Sequence, residues 1–186
     1  MSDGVRRLLV TGGVRSGKSR HAEARFAADA PVHYVTPGYP AGPDDTEWAD
    51  RVALHQARRP PSWVTIETVD IAGAIEQADA PVLVDCLGVW VTRTFDAWDA
   101  WDRPRSSWQE RFDAEVERLV GVVSAFGHQL VVVTNEVGWG VVPPYPAGRL
   151  FADCLGHVNA SIAGVMDGIV LMVAGRPLVL PASSGR

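Results

Sequence analysis

A chain of 186 residues, 47% hydrophobic and 21% charged, has a globular composition, and its length fits one domain spanning residues 1–186 and hardly two. A formal charge of −5 argues against a broad basic face for nucleic acid. No run approaches the ~18 apolar residues a membrane span needs, and the apolar stretch at the N-terminus is too short for a signal peptide, so a soluble, cytoplasmic protein is expected. Cys86 and Cys154 form no C-x-x-C or Cys/His cluster and read as buried thiols. Among the 17 basic residues Lys18 is the single lysine.

In chain order, Arg7 to Thr11 (RLLVT) reads as a strand and Ser19 to Ala28 as a helix. Val32 to Val35 is a second strand, followed by a Gly/Pro-rich loop from Pro37 to Pro43. Asp45 is placed to cap a helix running to about Arg58, which Pro60 and Pro61 stop. Trp63 to Glu67 reads as a strand, and Val82 to Cys86 (VLVDC) as a buried parallel strand ending in a carboxylate. Phe95 to Arg105, with Trp98 and Trp101 among charges, reads as a surface excursion.

Ser107 and Glu110 have capping-box spacing before a helix to about Phe126, with Trp108, Phe112, Val116, Leu119, Val120 and Val123 at helical intervals. Leu130 to Thr134 is a strand, and Gly148 to Met166 a helix with Phe151, Leu155, Val158 and Ile162 on one stripe. Ile169 to Val173 and Leu178 to Leu180 flank Gly175-Arg176-Pro177 as a closing hairpin. The alternation predicts a three-layer α/β domain on a mostly parallel sheet, with a C-terminal hairpin.

Gly12, Gly13, Val14, Arg15, Ser16, Gly17, Lys18 and Ser19 match G-x-x-x-x-G-K-[ST] between a strand and a helix. Glycines let successive N–H groups face phosphate oxygens, and the helix start adds a positive dipole end. Lys18 would reach the β- and γ-phosphates, Ser19 would ligate Mg²⁺, and Asp85 is the natural carboxylate for Mg²⁺, directly or through a bound water, or else a strand-end cap. The motif identifies a P-loop nucleotide site but no reaction.

Further segments narrow the reading. LLVTGGVRSGKSRHAE at the start, the frame His55-x-x-x-Arg59-Pro60-x-x-Trp63, and Thr134-Asn135-Glu136-Val137-Gly138 onward are informative together with Arg149, Phe151, Gly156 and Asn159. They resemble the bifunctional adenosylcobinamide kinase / adenosylcobinamide-phosphate guanylyltransferase family of cobalamin biosynthesis, from about Leu8 to Leu180. The resemblance implies two reactions. One phosphorylates the aminopropanol hydroxyl of adenosylcobinamide with ATP or GTP, and the other transfers GMP from GTP to that phosphate. It implies a covalent guanylyl-histidine at His55 and nucleotide contacts at Thr36, Pro37, Gly38, Gln56, Ala57, Arg58, Arg59, Glu67 and Asp85. It also implies a RecA-like fold and a homotrimer.

Chemistry suits this role for His55, because neutral imidazole is nucleophilic near pH 7 and a phosphoramidate passes its group on. Spacing alone leaves it open: Trp48, Val52 and His55 share one face of the predicted helix, as a core histidine would. His21 reads as structural or supporting, and His33, His128 and His157 as surface or helix-end residues. Asn135 and Glu136 follow a strand at its carboxyl end, where open α/β sheets bind ligands. The segment from Tyr34 to Trp48 is longer than the family's usual turn, Asp85 stands where some relatives carry glutamate, and Ala160 follows Asn159 where glutamine is expected. The competing readings are a small-molecule P-loop kinase without guanylyltransferase activity and a nucleotide-sensing module.

Overall fold

The computed structural model describes residues 5–39, 53 and 59–181. The elements in chain order are β1 (Arg7–Gly12), α1 (Lys18–Glu23), β2 (Val32–Thr36), β3 (Trp63–Glu67), α2 (Ile71–Glu76), β4 (Val82–Asp85) and α3 (Leu87–Ala97). A 3₁₀ turn (Arg105–Ser107) precedes α4 (Gln109–Ala125), β5 (Leu130–Val133), α5 (Pro146–Ala163), β6 (Gly168–Val173) and β7 (Arg176–Leu180). The helix expected from Asp45 to about Arg58 lies outside the described residues.

The strands form one seven-stranded sheet in the order β3-β2-β4-β5-β1-β6-β7. All neighbours are parallel except β7, which returns antiparallel on β6. This is the expected mostly parallel α/β architecture with its terminal hairpin. The central strands carry continuous apolar runs, Leu8 to Val10, Val82 to Val84 and Leu130 to Val133, because both faces are covered, with alternate residues entering different clusters. Leu9, Val35, Val82, Val84, Leu130 and Val132 pack with α2 to α5, whereas Leu8, Val10, Val32, Tyr34, Leu83, Val131 and Val133 face α1 and Phe26. Full burial of each such valine or leucine contributes about 1.5–3 kcal/mol.

Several local expectations change. The first helix ends at Glu23, before Ala28, because the chain tightens into i→i−3 bonds at Arg25 and Phe26. That turn delivers Phe26 edge-on to Trp63, with centroids 5.6 Å apart. The segment from Phe95 to Arg105 is no surface excursion at its start: Phe95 and Ala100 are fully buried. Phe95 meets Trp101, Trp108 and Phe112 at 5.1, 4.9 and 5.2 Å.

Burial of Trp108 in that cluster also displaces the capping box. Ser107 Oγ donates to the carbonyl of Pro104, and Trp108 takes the N-cap position of α4 without a side-chain cap. α5 begins two residues before Gly148, with Pro146 in its first turn, where a missing N–H is harmless. The β6–β7 turn is Ala174-Gly175, both at positive φ as a two-residue hairpin requires, so β7 already starts at Arg176.

Candidate functional site

The phosphate loop forms where β1 ends in the middle of the sheet. A Cβ on Gly12 would lie 2.5 Å from the carbonyl oxygen of Met172, so no other residue fits this crossing of β1 and β6. Gly17 precedes α1 at φ +93°, and Ser16 N donates to the Gly13 carbonyl at 3.3 Å. The β6–β7 turn braces the loop from outside, with Gly175 N donating to the Ser16 carbonyl at 3.1 Å. Val14 and Arg15 are exposed, whereas Ser16 and Lys18 are buried. Lys18 Nζ donates to the Gly13 carbonyl at 2.7 Å, so the ammonium closes over its own loop. Ser16 Oγ is buried without a hydrogen-bond partner in the structure, as suits a group that meets a ligand.

Beside the loop stands the carboxyl end of β5. Glu136 N donates to the Gly12 carbonyl at 3.3 Å, and Thr11 Oγ1 donates to Glu136 Oε2 at 3.4 Å. Asn159 of α5 locks this strand exit. It accepts from Thr134 Oγ1 at 2.6 Å and donates to the Asn135 carbonyl at 3.0 Å. Asn135 and Glu136 are thereby held at the phosphate loop.

Asp85 ends β4, with β5 between it and the phosphate-loop strand. The Tyr34 hydroxyl donates to Asp85 Oδ2 at 2.9 Å. Burial, then the nearby Asp85 carboxylate, pushes the Tyr34 hydroxyl well above the usual phenol range, so it stays protonated and donating. Burial also raises the Cys86 thiol to about 11, helped by Asp85 and partly opposed by the backbone N–H groups of Val89 and Gly88. Cys86 is therefore a neutral neighbour of Asp85.

A second group of expected contacts lies toward the β3 edge. Thr36 and Glu67 are register partners at the carboxyl ends of β2 and β3. Gly38 N donates to Thr36 Oγ1 at 3.2 Å, and Arg93 of α3 holds the turn by donating to the carbonyls of Pro37 and Gly38 at 3.2 and 2.8 Å. The Arg59 guanidinium lies 3.6 Å from the centroid of the Tyr34 ring, and its Nη1 donates to Thr65 Oγ1 at 2.8 Å. Glu67 is four strand spacings from β1, about 19 Å at about 4.8 Å each. The expected nucleotide contacts therefore fall into two groups along one edge of the sheet, and Tyr34 touches both. His55, Gln56, Ala57 and Arg58 lie outside the described residues.

Sequence reading did not single out Tyr34 or Arg93. Tyr34 had a signal, a polar-tipped aromatic inside a buried strand. Arg93 had none, since its carbonyl partners are over fifty residues away in the chain. His21 is half-buried with Nε2 unpartnered, and burial with the charge of Arg25 lowers its pKa, so it stays neutral at pH 7. Among the described residues no group of three or more His, Cys, Asp or Glu side chains could hold a metal ion alone. Ser19 and Asp85 instead suit Mg²⁺ bound mainly through nucleotide phosphates, its usual mode with few protein ligands.

Residues 8–180 match the family model described as cobinamide kinase / cobinamide phosphate guanyltransferase. The bifunctional adenosylcobalamin biosynthesis protein CobU of Escherichia coli (strain K12) is 35% identical over 178 residues, covering 90% of this chain and 96% of that protein. The bifunctional adenosylcobalamin biosynthesis protein CobP of Pseudomonas aeruginosa is 36% identical over 180 residues, covering 94% and 96%.

Proposed function

The chain belongs to the cobinamide kinase / cobinamide phosphate guanyltransferase family, and from that premise we propose how its sheet edge serves two reactions. It is a P-loop transferase of cobalamin biosynthesis with kinase and nucleotidyltransferase activities, acting on cobinamide with ATP and GTP as substrates. The observation that carries the reading is the braced phosphate loop with its buried Lys18, and with Glu136 bonded to the loop at Gly12, in a chain matched to the family over residues 8–180. Relatives named as bifunctional favour two activities over a kinase alone.

In the kinase step, the aminopropanol hydroxyl oxygen of adenosylcobinamide bonds to the γ-phosphorus as the bond to the β,γ-bridging oxygen breaks. The nucleoside diphosphate leaves, and Glu136, beside the loop, is the carboxylate placed to take the hydroxyl proton. Backbone N–H groups from Gly13 to Ser19 and the ammonium of Lys18 stabilise the charge that develops on the phosphoryl oxygens. Mg²⁺, held by Ser19, Asp85 and the phosphates, would supply further charge neutralisation.

In the second reaction a ring nitrogen of His55 bonds to the α-phosphorus of GTP and pyrophosphate leaves. An oxygen of adenosylcobinamide phosphate then attacks that phosphorus, the P–N bond breaks, and His55 is released. Thr36 to Gly38, Gln56 to Arg59 and Glu67 are assigned to nucleotide binding in this half. A homotrimer and a cytoplasmic location complete the reading. Among the described residues no helix is long and apolar enough to cross a membrane.

Incubation with GTP labelled at the α-phosphate tests the covalent step. The protein retains a label that survives alkali and is lost in acid, and His55→Ala abolishes it. A label retained by His55→Ala overturns the assignment of the nucleophile.

A further inference from the structure

Arg59 and the strand end that carries Asp85 are remote in sequence, and one side chain meets both. Tyr34 is 2% exposed, in the middle of β2. The Arg59 guanidinium lies 3.6 Å from the centroid of its ring, and Trp63 stacks on it at 6.2 Å with an interplanar angle of 29°. Its hydroxyl donates to Asp85 Oδ2 at 2.9 Å across the β2–β4 pairing. Packing at this position calls only for the ring, and a phenylalanine would supply that. The hydroxyl adds one directed hydrogen bond to a carboxylate.

An ionised carboxylate has about four lone-pair sites. The phenol occupies one on Oδ2 and restricts rotation of the group, leaving the remaining sites for a cation. Carboxylates that ligate metals are commonly oriented by such donors, and loss of the donor weakens the metal without removing a ligand. We propose that Tyr34 is a positioning residue for nucleotide-bound Mg²⁺. Its hydroxyl sets the orientation of Asp85, and Arg59, stacked on its ring, holds the phenol in place. This inference rests on the reading of Asp85 as the Mg²⁺ carboxylate. It adds that Arg59 acts on the metal carboxylate through Tyr34.

The test uses the full chain, Mn²⁺ in place of Mg²⁺, and guanosine 5′-(α,β-methylene)triphosphate, whose α–β bridge His55 cannot cleave, with bound Mn²⁺ read by electron paramagnetic resonance. Asp85→Asn weakens Mn²⁺ binding to the nucleotide complex. Tyr34→Phe weakens it on the order of tenfold. Nucleotide binding in EDTA is unchanged in Tyr34→Phe, and the double variant is no weaker than Asp85→Asn alone, as two members of one contact require.

A purely structural Tyr34 would lower the melting temperature and leave Mn²⁺ affinity at the wild-type value while Asp85→Asn loses it; that result overturns the inference alone. Unchanged Mn²⁺ affinity in Asp85→Asn overturns the metal reading of Asp85, and the inference with it. A second measurement covers the case in which Tyr34→Phe does not fold. The three tyrosines are replaced by 3-fluorotyrosine, and the Tyr34 ¹⁹F resonance is assigned by eliminating Tyr39 and Tyr145 with Tyr39→Phe and Tyr145→Phe. Adding Mg²⁺ to the nucleotide complex shifts that resonance in wild type and not in Asp85→Asn. A resonance indifferent to Mg²⁺ contradicts the proposal.

Discussion

Lys18 occupies a position where its ammonium already has a backbone carbonyl as acceptor, that of Gly13. Phosphate oxygens entering the loop compete for the same donor, and a compact ammonium on a flexible stem can follow them through transfer. An arginine keeps the charge but brings a rigid planar fork into a buried position. Lys18→Arg and Lys18→Ala are therefore expected to lower the kinase kcat at least on the order of 10²-fold, as loss of a preorganised charge donor does. Single-turnover transfer from labelled ATP checks this, and near-normal kcat in either variant would remove Lys18 from the chemistry. The loop was fully legible in sequence because its function lies in backbone conformation, which glycines at fixed spacing encode locally. The partners of Asp85 were not, since the Tyr34 bond depends on two parallel strands lying side by side, 51 residues apart.

α2 and α3, unlike the strands, were missed from sequence. α3 runs directly out of β4 and is rich in Val, Thr and Trp, which read as strand formers. Yet Leu87, Trp90, Val91, Thr94 and Phe95, its buried face, recur at helical intervals. Phe95→Ala empties the centre of the aromatic cluster and should cost about 3–5 kcal/mol, measured by denaturant unfolding. α2 had an N-terminal signal in Asp70, whose side chain accepts from Gly73 N at 2.9 Å. Removing that cap with Asp70→Ala is expected to cost about 1 kcal/mol.

Asp70 also meets Arg118 of α4, and Asp167 meets Arg7 and the backbone N–H groups of Arg6 and Arg7. Asp70 is held below the usual carboxylate range first by the Gly73 N–H and then by Arg118, and Asp167 first by its hydrogen bond to Arg7. A depressed folded-state pKa stabilises the fold fully above the unfolded value of about 3.9 and loses that contribution as pH falls through the folded value. Asp167→Asn should therefore lower stability at pH 7 and flatten its loss below about pH 4. An unchanged acid limb in pH-dependent unfolding would contradict this.

At the scale of the molecule, one mostly parallel sheet, which the βα alternation predicted, carries both groups of proposed site residues at the carboxyl ends of its strands. What the alternation could not predict is the surface. Trp139, Val141, Val142 and Tyr145 are 73, 95, 70 and 62% exposed on the loop after Glu136. They adjoin a groove of about 510 Å³ lined also by Arg105, Arg149 and Asp153. On the edge strand β7, Leu178 and Val179 are 55 and 57% exposed. Apolar area of this kind is usual where chains associate, and it supports the proposed homotrimer. Sedimentation equilibrium should give three times the chain mass, and a monomer at micromolar concentration would refute it. The proposed single domain over residues 1–186 predicts one cooperative unfolding transition, the same by fluorescence and circular dichroism.

The central claim is that one chain carries adenosylcobinamide through both steps, the second by way of His55. Its most direct test follows corrinoid products by chromatography after incubating adenosylcobinamide with ATP, GTP and Mg²⁺. Wild type is expected to yield adenosylcobinamide-GDP, and His55→Ala to accumulate adenosylcobinamide phosphate and go no further. A wild-type reaction that stops at the phosphate, or a His55→Ala protein that forms the GDP product at the wild-type rate, would contradict the account.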